Sequence, residues 1–322
     1  MLALGLDIGG TRIKAGLVDE NGKMVRQETI ETPIVPAEFR AAVGKLIGTL
    51  GPEAAGVAGA GVACKGVVDY ETTRINVLPG LLRPLEGEYL RDLIPIRGPV
   101  YADNDAKVAM VGEMVWGAAR GKRDAIMLTL GTGVGGAVVA NGKMVRGVAG
   151  VAGHLGHVTT MTDGPICICG NHGCIESLFS ADAIESEAFR IVHNGCVSSL
   201  TDEFRDRPGE VTCKDVFEHA ARGDKAARTI IDRAIRHLGA AIAGLLHVLD
   251  PEVVILGGQI VEAGEALLEP LRREVWWRSE GLLQRHVPIV VQQVKDRTGI
   301  TGGAALVFSE LGRREWQATE AE

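Results

Sequence analysis

The chain opens on an apolar run, Leu2 to Ile8, that breaks at Gly9-Gly10; the segment after it reads as two strands joined at the Asn21-Gly22 turn. Phe39, Val43, Leu46, Ile47 and Leu50 recur at helical spacing between Pro36 and Leu50, and the apolar stretch Ala54 to Ala63 predicts a buried strand. From Pro99 the pattern starts as a strand, passes Asp103-Asn104-Asp105 and turns helical, with Asp103 or Asn104 as the cap. Asp124 to Gly147 reads as strand, glycine loop, strand, Asn-Gly turn and strand. Farther on come a long helix from Asp224 to Leu249, a strand ending at Gly257-Gly258, a helix near Leu267 to Trp277, a strand Pro288 to Gln293 and a final helix from Thr301. Ser198 to Gly209 is expected as a surface loop. Strands alternating with helices predict an α/β layer structure.

The hexapeptide Asn-Gly-Lys-Met-Val-Arg stands at 21–26 and again at 141–146. Upstream of each copy lie an aliphatic strand and a glycine turn, Asp7-Ile8-Gly9-Gly10-Thr11 in the first and Thr129-Leu130-Gly131-Thr132-Gly133 in the second. This coincidence predicts two lobes on one strand–loop–strand plan, with two phosphate loops facing each other. Length agrees, since 322 residues exceed the ~250–300 at which single cores stop growing. Two lobes with a cleft between them are the expectation.

Composition changes the picture in three ways. The 43 glycines are nearly double the usual share of about 7%, so many backbone positions must turn tightly or approach something closely. A formal charge of −7 supplies no field for nucleic acid or anionic lipid, so a phosphate ligand must be held by local donors and a metal. No apolar run approaches the ~20 residues of a membrane span and the N-terminus carries no signal-peptide pattern, which predicts a cytoplasmic protein.

The glycine turns bring backbone N–H groups onto phosphate oxygens without needing a net positive charge, which makes Gly9, Gly10, Thr11, Gly131, Thr132 and Gly133 the phosphate-binding candidates. Asp7, just before the first turn, is placed to hold Mg²⁺ beside the phosphates, directly or through water; alone it would read as a turn cap. Asp105 is the candidate general base, accepting a proton from an attacking sugar hydroxyl, and Asn104 beside it could orient hydroxyls. An Asp at a helix start is by itself more often a cap, so the surrounding pattern carries this assignment. Cys167, Cys169, Cys174 and His157 offer three thiolates and one imidazole, the ligand set of a closed structural Zn²⁺ site. His154 and Glu176 adjoin that loop and could face polyol hydroxyls, whereas His172, His193, Cys64, Cys196 and Cys213 read as core or surface residues.

With these residues in view, the chain resembles the ROK family (repressor, open reading frame, kinase), a branch of the actin-like ATPase superfamily. The likeness runs from LDIGGTRIKAGLVD through DNDAKVAMVGE, LGTGVGG, GHLGHV and CICGNHGCIE to VVILGG and TGGAAL. It implies two actin-like, ribonuclease H-like lobes with a ligand cleft and a zinc-bound loop: a small N-terminal lobe, 1–117, completed by a C-terminal helix at about 300–322, and a large lobe, 118–299. It further implies ATP-dependent phosphorylation of a hexose or N-acylhexosamine, with Asp105 as base and Asn104, Asp105, His157 and Glu176 on the sugar. Gly257 and Gly258 would lie near the adenosine of ATP, His157 would join Cys167, Cys169 and Cys174 on zinc, and the enzyme would be a homodimer or homotetramer. The chain departs from the family's commonest pattern at His154, where many members carry Glu, at Cys64-Lys65-Gly66 in place of a Pro-Gly pair, and at Gly80, where an Asn often contacts sugar. These changes make N-acetylmannosamine a rival to glucose. Family repressors add an N-terminal helix-turn-helix; a first strand starting at Leu2 and the lack of a basic stripe favour a kinase over a DNA-binding protein.

Overall fold

A computed structural model describes residues 1–295 and 297–312, so the stretch 313–322 of the expected final helix lies outside the described residues. The chain forms two compact units: residues 1–125 with 137–153 and the chain from Gln292 onward, and residues 126–136 with 154–291.

The first unit begins with strands β1 (Leu2–Ile8), β2 (Arg12–Asp19) and β3 (Met24–Glu31), helix α1 (Pro36–Thr49) and strands β4 (Ala60–Cys64), β5 (Val67–Val68) and β6 (Ile75–Val77). Helix α2 (Leu90–Leu93), strand β7 (Val100–Asn104) and helix α3 (Asp105–Trp116) follow. Its sheet has the order β3-β2-β1-β4-β7. Strands β1 to β3 are antiparallel neighbours, as the Asn21-Gly22 turn requires: Gly22 takes φ +79°, and Asp19 Oδ1 accepts from the N–H of Asn21 and of Lys23. Strands β1, β4 and β7 run parallel. The expected strand from Ala54 is corrected: Pro52–Gly56 is a tight 3₁₀ turn, and pairing begins only at Ala60. Proline at the first turn and glycine at 56 and 59 favour bending over extension there.

The next elements are β8 (Ala125–Leu130), β9 (Val134–Ala140) and β10 (Lys143–Met144), then helices α4 (Glu176–Phe179), α5 (Ala181–His193), α6 (Leu200–Asp206), α7 (Cys213–Ala221) and α8 (Lys225–Leu249). Strand β11 (Val253–Gly257), helix α9 (Glu265–Ser279), strand β12 (Ile289–Val291) and helix α10 (Thr298–Glu310) complete the order. The second sheet, β10-β9-β8-β11-β12, repeats the plan of the first: a hairpin, the opening strand, then two later strands. Helix α6 corrects the expected loop at 198–209; Arg207 donates to Glu203 one turn before it, a pairing that supports the short helix. Among the described residues no helix is long and apolar enough to cross a membrane.

Side chains alternate across β1. Leu4, Leu6 and Ile8 join the core with Phe39, Val43 and Leu46 of α1, while Ala3 joins Ile300, Ala304, Val307 and Phe308 of α10 on the other face. Helix α10 therefore returns from the far end of the chain to cover the N-terminal sheet. It comes so close that a Cβ on Gly61 of β4 would lie 1.8 Å from Gly303 O, and one on Gly5 of β1 would lie 1.9 Å from Ile300 O. Backbone rests on backbone here, with no side chain that could yield. Gly61→Ala should cost about 3 kcal/mol, at the upper end of overpacking penalties, and lower the melting temperature by several degrees. An unchanged Tm in a thermal scan would refute this packing.

Candidate active site and metal centre

Three parallel strands of the first unit end in step. Ile8 pairs with Cys64 and Cys64 with Asn104, so the next residues, Gly9, Lys65 and Asp105, stand side by side at the carboxyl edge, where α/β sheets bind ligands. Asn104 caps α3: its Oδ1 accepts from Ala106 N–H at 3.0 Å, while its Nδ2 donates to Gly66 O at 3.0 Å. The other amide hydrogen reaches the Asp105 carboxyl, so an acceptor site on Oδ1 remains for a hydroxyl.

Asp105 opens α3 with its Oδ1 accepting from Ala106 N–H at 2.9 Å. Although solvent reaches it, surrounding protein displaces much of its water, and this desolvation raises its carboxyl above the ordinary 3.8. The Ala106 N–H opposes that shift, the negative charge of Asp7 reinforces it and Lys65 opposes it. Asp7 lies against the first turn of α10, where a Cβ on Gly299 would come within 2.7 Å of its carboxyl carbon. Loss of water raises Asp7 too, against Lys14, whose Nζ is 3.6 Å from Oδ2. A half-buried carboxylate held short of full neutralisation suits a divalent cation.

The first glycine turn is closed by Gly9 N–H donating to Arg12 O at 3.0 Å and anchored by Thr32 Oγ1 donating to Gly9 O at 2.8 Å. In the second unit Gly131 N–H donates to Gly133 O at 3.0 Å, and Ala181 N–H donates to Gly131 O at 2.8 Å. Gly9 and Gly131 thus shape their turns, and the amides of Gly10, Thr11, Thr132 and Gly133 are the ones to consider for phosphate. Gly258, at φ +87°, follows Gly257 against the end of β8: a Cβ there would meet Leu130 O at 2.3 Å.

Glu176 links the second turn to the cysteine loop. Its Oε2 accepts from Val134 N–H at 2.9 Å, directly after the turn, and its Oε1 lies 3.8 Å from Cys167 Sγ. A Cβ on Gly133 would sit 2.4 Å from Glu176 Oε2, so a larger residue there would push that carboxylate away from Val134 N–H. The His154 and His157 rings are nearly parallel, with centroids 6.5 Å apart.

His157, Cys167, Cys169 and Cys174 bring one ligand atom each to within 4.8 Å of one another. Cys169 Sγ and Cys174 Sγ are 3.6 Å apart, and Cys167 Sγ is 3.5 Å from His157 Nδ1. Tetrahedral Zn²⁺ with bonds of about 2.0–2.3 Å needs ligand separations of roughly 3.5–3.8 Å, so the four residues fit the ion. Burial pushes the Cys167 thiol up to about 12, and a cation is what would hold a thiolate there. Cys64 and Cys213 are buried away from this group, and Cys196 is exposed.

Two charged side chains beside the candidate base take roles that the sequence alone does not give. Asp103, buried, accepts from Arg146 Nε at 2.8 Å, and Lys107, also buried, donates to Gly150 O at 2.6 Å, so both hold the 146–153 loop to β7 and α3. Desolvation lowers the Lys107 pKa from its ordinary value. The signal for Lys107 was a lysine within a largely apolar helix, α3.

The ROK family model matches residues 3–310, and the chain belongs to that family. It is 33% identical over 318 residues to a glucokinase of Thermotoga maritima, covering 96% of this chain and 98% of that one. An N-acetylmannosamine kinase of Escherichia coli O7:K1 is 31% identical over 321 residues, with 96% and 99% covered. A ROK family glucokinase from Streptomyces griseus, solved in complex with glucose and AMPPNP, superposes with a TM-score of 0.79 at 30% identity, covering 95% of this chain and 99% of that one.

Purified protein should carry about one zinc per chain by metal analysis, and Cys169→Ser should lower zinc affinity by at least about 10–100-fold while destabilising the loop. Metal-free protein with an unchanged Tm and activity would contradict a structural zinc.

Proposed function

We propose that this chain is an ATP-dependent sugar kinase that phosphorylates a hydroxyl of a glucose-type hexose. The observation that carries the reading is a carboxylate of raised pKa, Asp105, placed two strands from a phosphate-type glycine turn on the same carboxyl edge. The glucokinase relatives, matched over nearly the whole chain, support it.

In this mechanism the acceptor hydroxyl oxygen attacks the γ-phosphorus as the bond to the β–γ bridging oxygen breaks, ADP leaves, and Asp105 takes the hydroxyl proton. The amides of Gly10 and Thr11, and of Thr132 and Gly133, hold the phosphates, with Gly9 and Gly131 shaping those turns and Gly257 and Gly258 assigned to the adenosine side. Mg²⁺, held by Asp7 directly or through water, would neutralise charge on the β and γ oxygens. Asn104, Asp105, His154, His157 and Glu176 are assigned to the sugar. If Nδ1 of His157 binds Zn²⁺, the ring proton is confined to Nε2, which then acts as a hydroxyl donor. The reading includes a domain boundary at residue 117 with α10 completing the N-terminal lobe, a homodimer or homotetramer, and a cytoplasmic location.

N-acetylmannosamine is the second reading, favoured by His154 in place of the usual Glu and by the 31%-identical E. coli relative. Exchanging a hydrogen-bond acceptor for an imidazole changes which hydroxyl or acetamido group is paired, and such sites discriminate strongly. A family member that only senses sugar would bind it without turnover.

Asp105→Asn should lower kcat by about 10²–10⁴-fold, the usual contribution of a positioned general base, with sugar binding retained in calorimetry. Asp105 must be ionised to act and its pKa is raised, so wild-type kcat/KM should fall as pH drops through a value above 3.8. Wild-type turnover in the variant would remove the assignment.

A further inference from the structure

Lys65 stands where the family pattern gives proline, in the middle of the carboxyl edge. Strand β4 lies between β1 and β7 in the sheet, and the register Ile8–Cys64–Asn104 makes Lys65 the neighbour of Gly9 on one side and Asp105 on the other. Adjacent strands are about 4.8 Å apart, a gap that a four-carbon lysine stem spans easily. Alternation sets the face. Gly5 and Asp7 of β1 pair with Gly61 and Ala63 of β4, and Gly61 and Ala63 with Tyr101 and Asp103 of β7, which puts Asp7, Ala63 and Asp103 on one face; Lys65 and Asp105 follow directly after the ends of β4 and β7. The lysine's own loop is fixed, because Asn104 Nδ2 donates to Gly66 O at 3.0 Å and Cys64 is fully buried. Lys65 itself is exposed, and its charge acts on Asp105. Of the nearby cations, Lys14 pairs with Asp7, Arg146 with Asp103 and Lys107 with Gly150, while Arg297 adds its charge at Asp7.

We infer that Lys65 is a catalytic cation of this kinase, its ammonium meeting the equatorial oxygens of the phosphoryl group as that group passes from the glycine turn towards the hydroxyl held at Asp105. The inference rests on the kinase reading above. Charge spreads over those oxygens in the loose transition state, and a cation fixed beside their path stabilises it more than it stabilises bound ATP. Lys65 also brings positive charge to bear on Asp105 and offsets that carboxylate's repulsion towards the incoming triphosphate. No proton leaves the lysine and no bond forms to it; the proton of the hydroxyl goes to Asp105.

The test compares wild type, Lys65→Met and Lys65→Arg by coupled ADP release on whichever hexose or N-acylhexosamine the wild type turns over fastest. Lys65→Met should lower kcat by about 10²-fold, the usual loss for one transition-state donor, with the sugar KM and Tm unchanged. Its acid limb in kcat/KM should move to higher pH, since Asp105 loses a neighbouring positive charge, and Lys65→Arg should recover most of the rate. Wild-type kcat in Lys65→Met with an unmoved acid limb would overturn the inference and leave the kinase reading standing. A loss confined to the sugar KM would also overturn it, placing Lys65 on the acceptor. Wild-type protein that releases no ADP with any sugar would remove both.

Discussion

The in-step ending of β1, β4 and β7 is the constraint on which this account depends. Parallel pairing from Leu4–Ala60 to Ile8–Cys64, and from Ala60–Val100 to Cys64–Asn104, leaves no freedom in which residues meet at the carboxyl edge. A slip of one residue in β1 would turn Asp7 to the α1 face, against Phe39 and Val43, and move Leu4, Leu6 and Ile8 off it. Burying such a charge without a partner costs far more than one register of strand hydrogen bonds provides. The same apolar alternation that builds the core therefore fixes the spacing between a phosphate-type turn and a candidate base. Helix α10 locks that arrangement from the other face, with Gly61 against Gly303 and Gly5 against Ile300.

The second unit uses a different device. Glu176 accepts from the amide that follows the Gly131–Gly133 turn and approaches Cys167, so one carboxylate joins the turn to the Cys₃His group. A structural metal there would stiffen the loop bearing His157 and, through Glu176, the turn itself. A metal in the Cys₃His group would thus act on the glycine turn as well as on its own loop.

Much of this was legible in the chain. Asn21-Gly22 and Asn141-Gly142 announced hairpins because Asn and Gly tolerate left-handed backbone: φ is +53° at Asn141 and +73° at Gly142, the type I′ pair, while in the first hairpin only Gly22, at +79°, is left-handed and its N–H donates to Asp19 O. The repeated hexapeptide anticipated that the two sheets share one strand order. Cysteine spacing declared the Cys₃His group, and the ROK resemblance is borne out by the family match. What stayed hidden depends on contacts between distant residues. Nothing near Glu113 shows that its buried carboxylate will accept from the N–H groups of Ala118, Gln293 and Val294, fixing the segment that leads back to α10. Likewise Asp103 reads as a cap until Arg146 is seen 2.8 Å away. The amides of Gly9 and Gly131 looked free for phosphate, yet each closes its own turn, which only the backbone path reveals. Helix α6 and the turn at Pro52–Gly56 were misread because short elements take their form from what they pack against.

Sites built on hydrogen bonds discriminate between sugars more than a shared fold does, and His154, Cys64-Lys65-Gly66 and Gly80 are where this chain parts from the common pattern. The most direct test of the central claim is sugar-dependent ADP release by the wild-type protein with Mg·ATP across glucose, mannose, fructose, allose and the N-acetylated hexosamines, with the product identified by mass. The account predicts one strongly preferred hexose or N-acylhexosamine and a monophosphate of that sugar in amounts equal to the ADP formed. ADP release that no sugar stimulates, or sugar binding with no phosphorylated product, would contradict it.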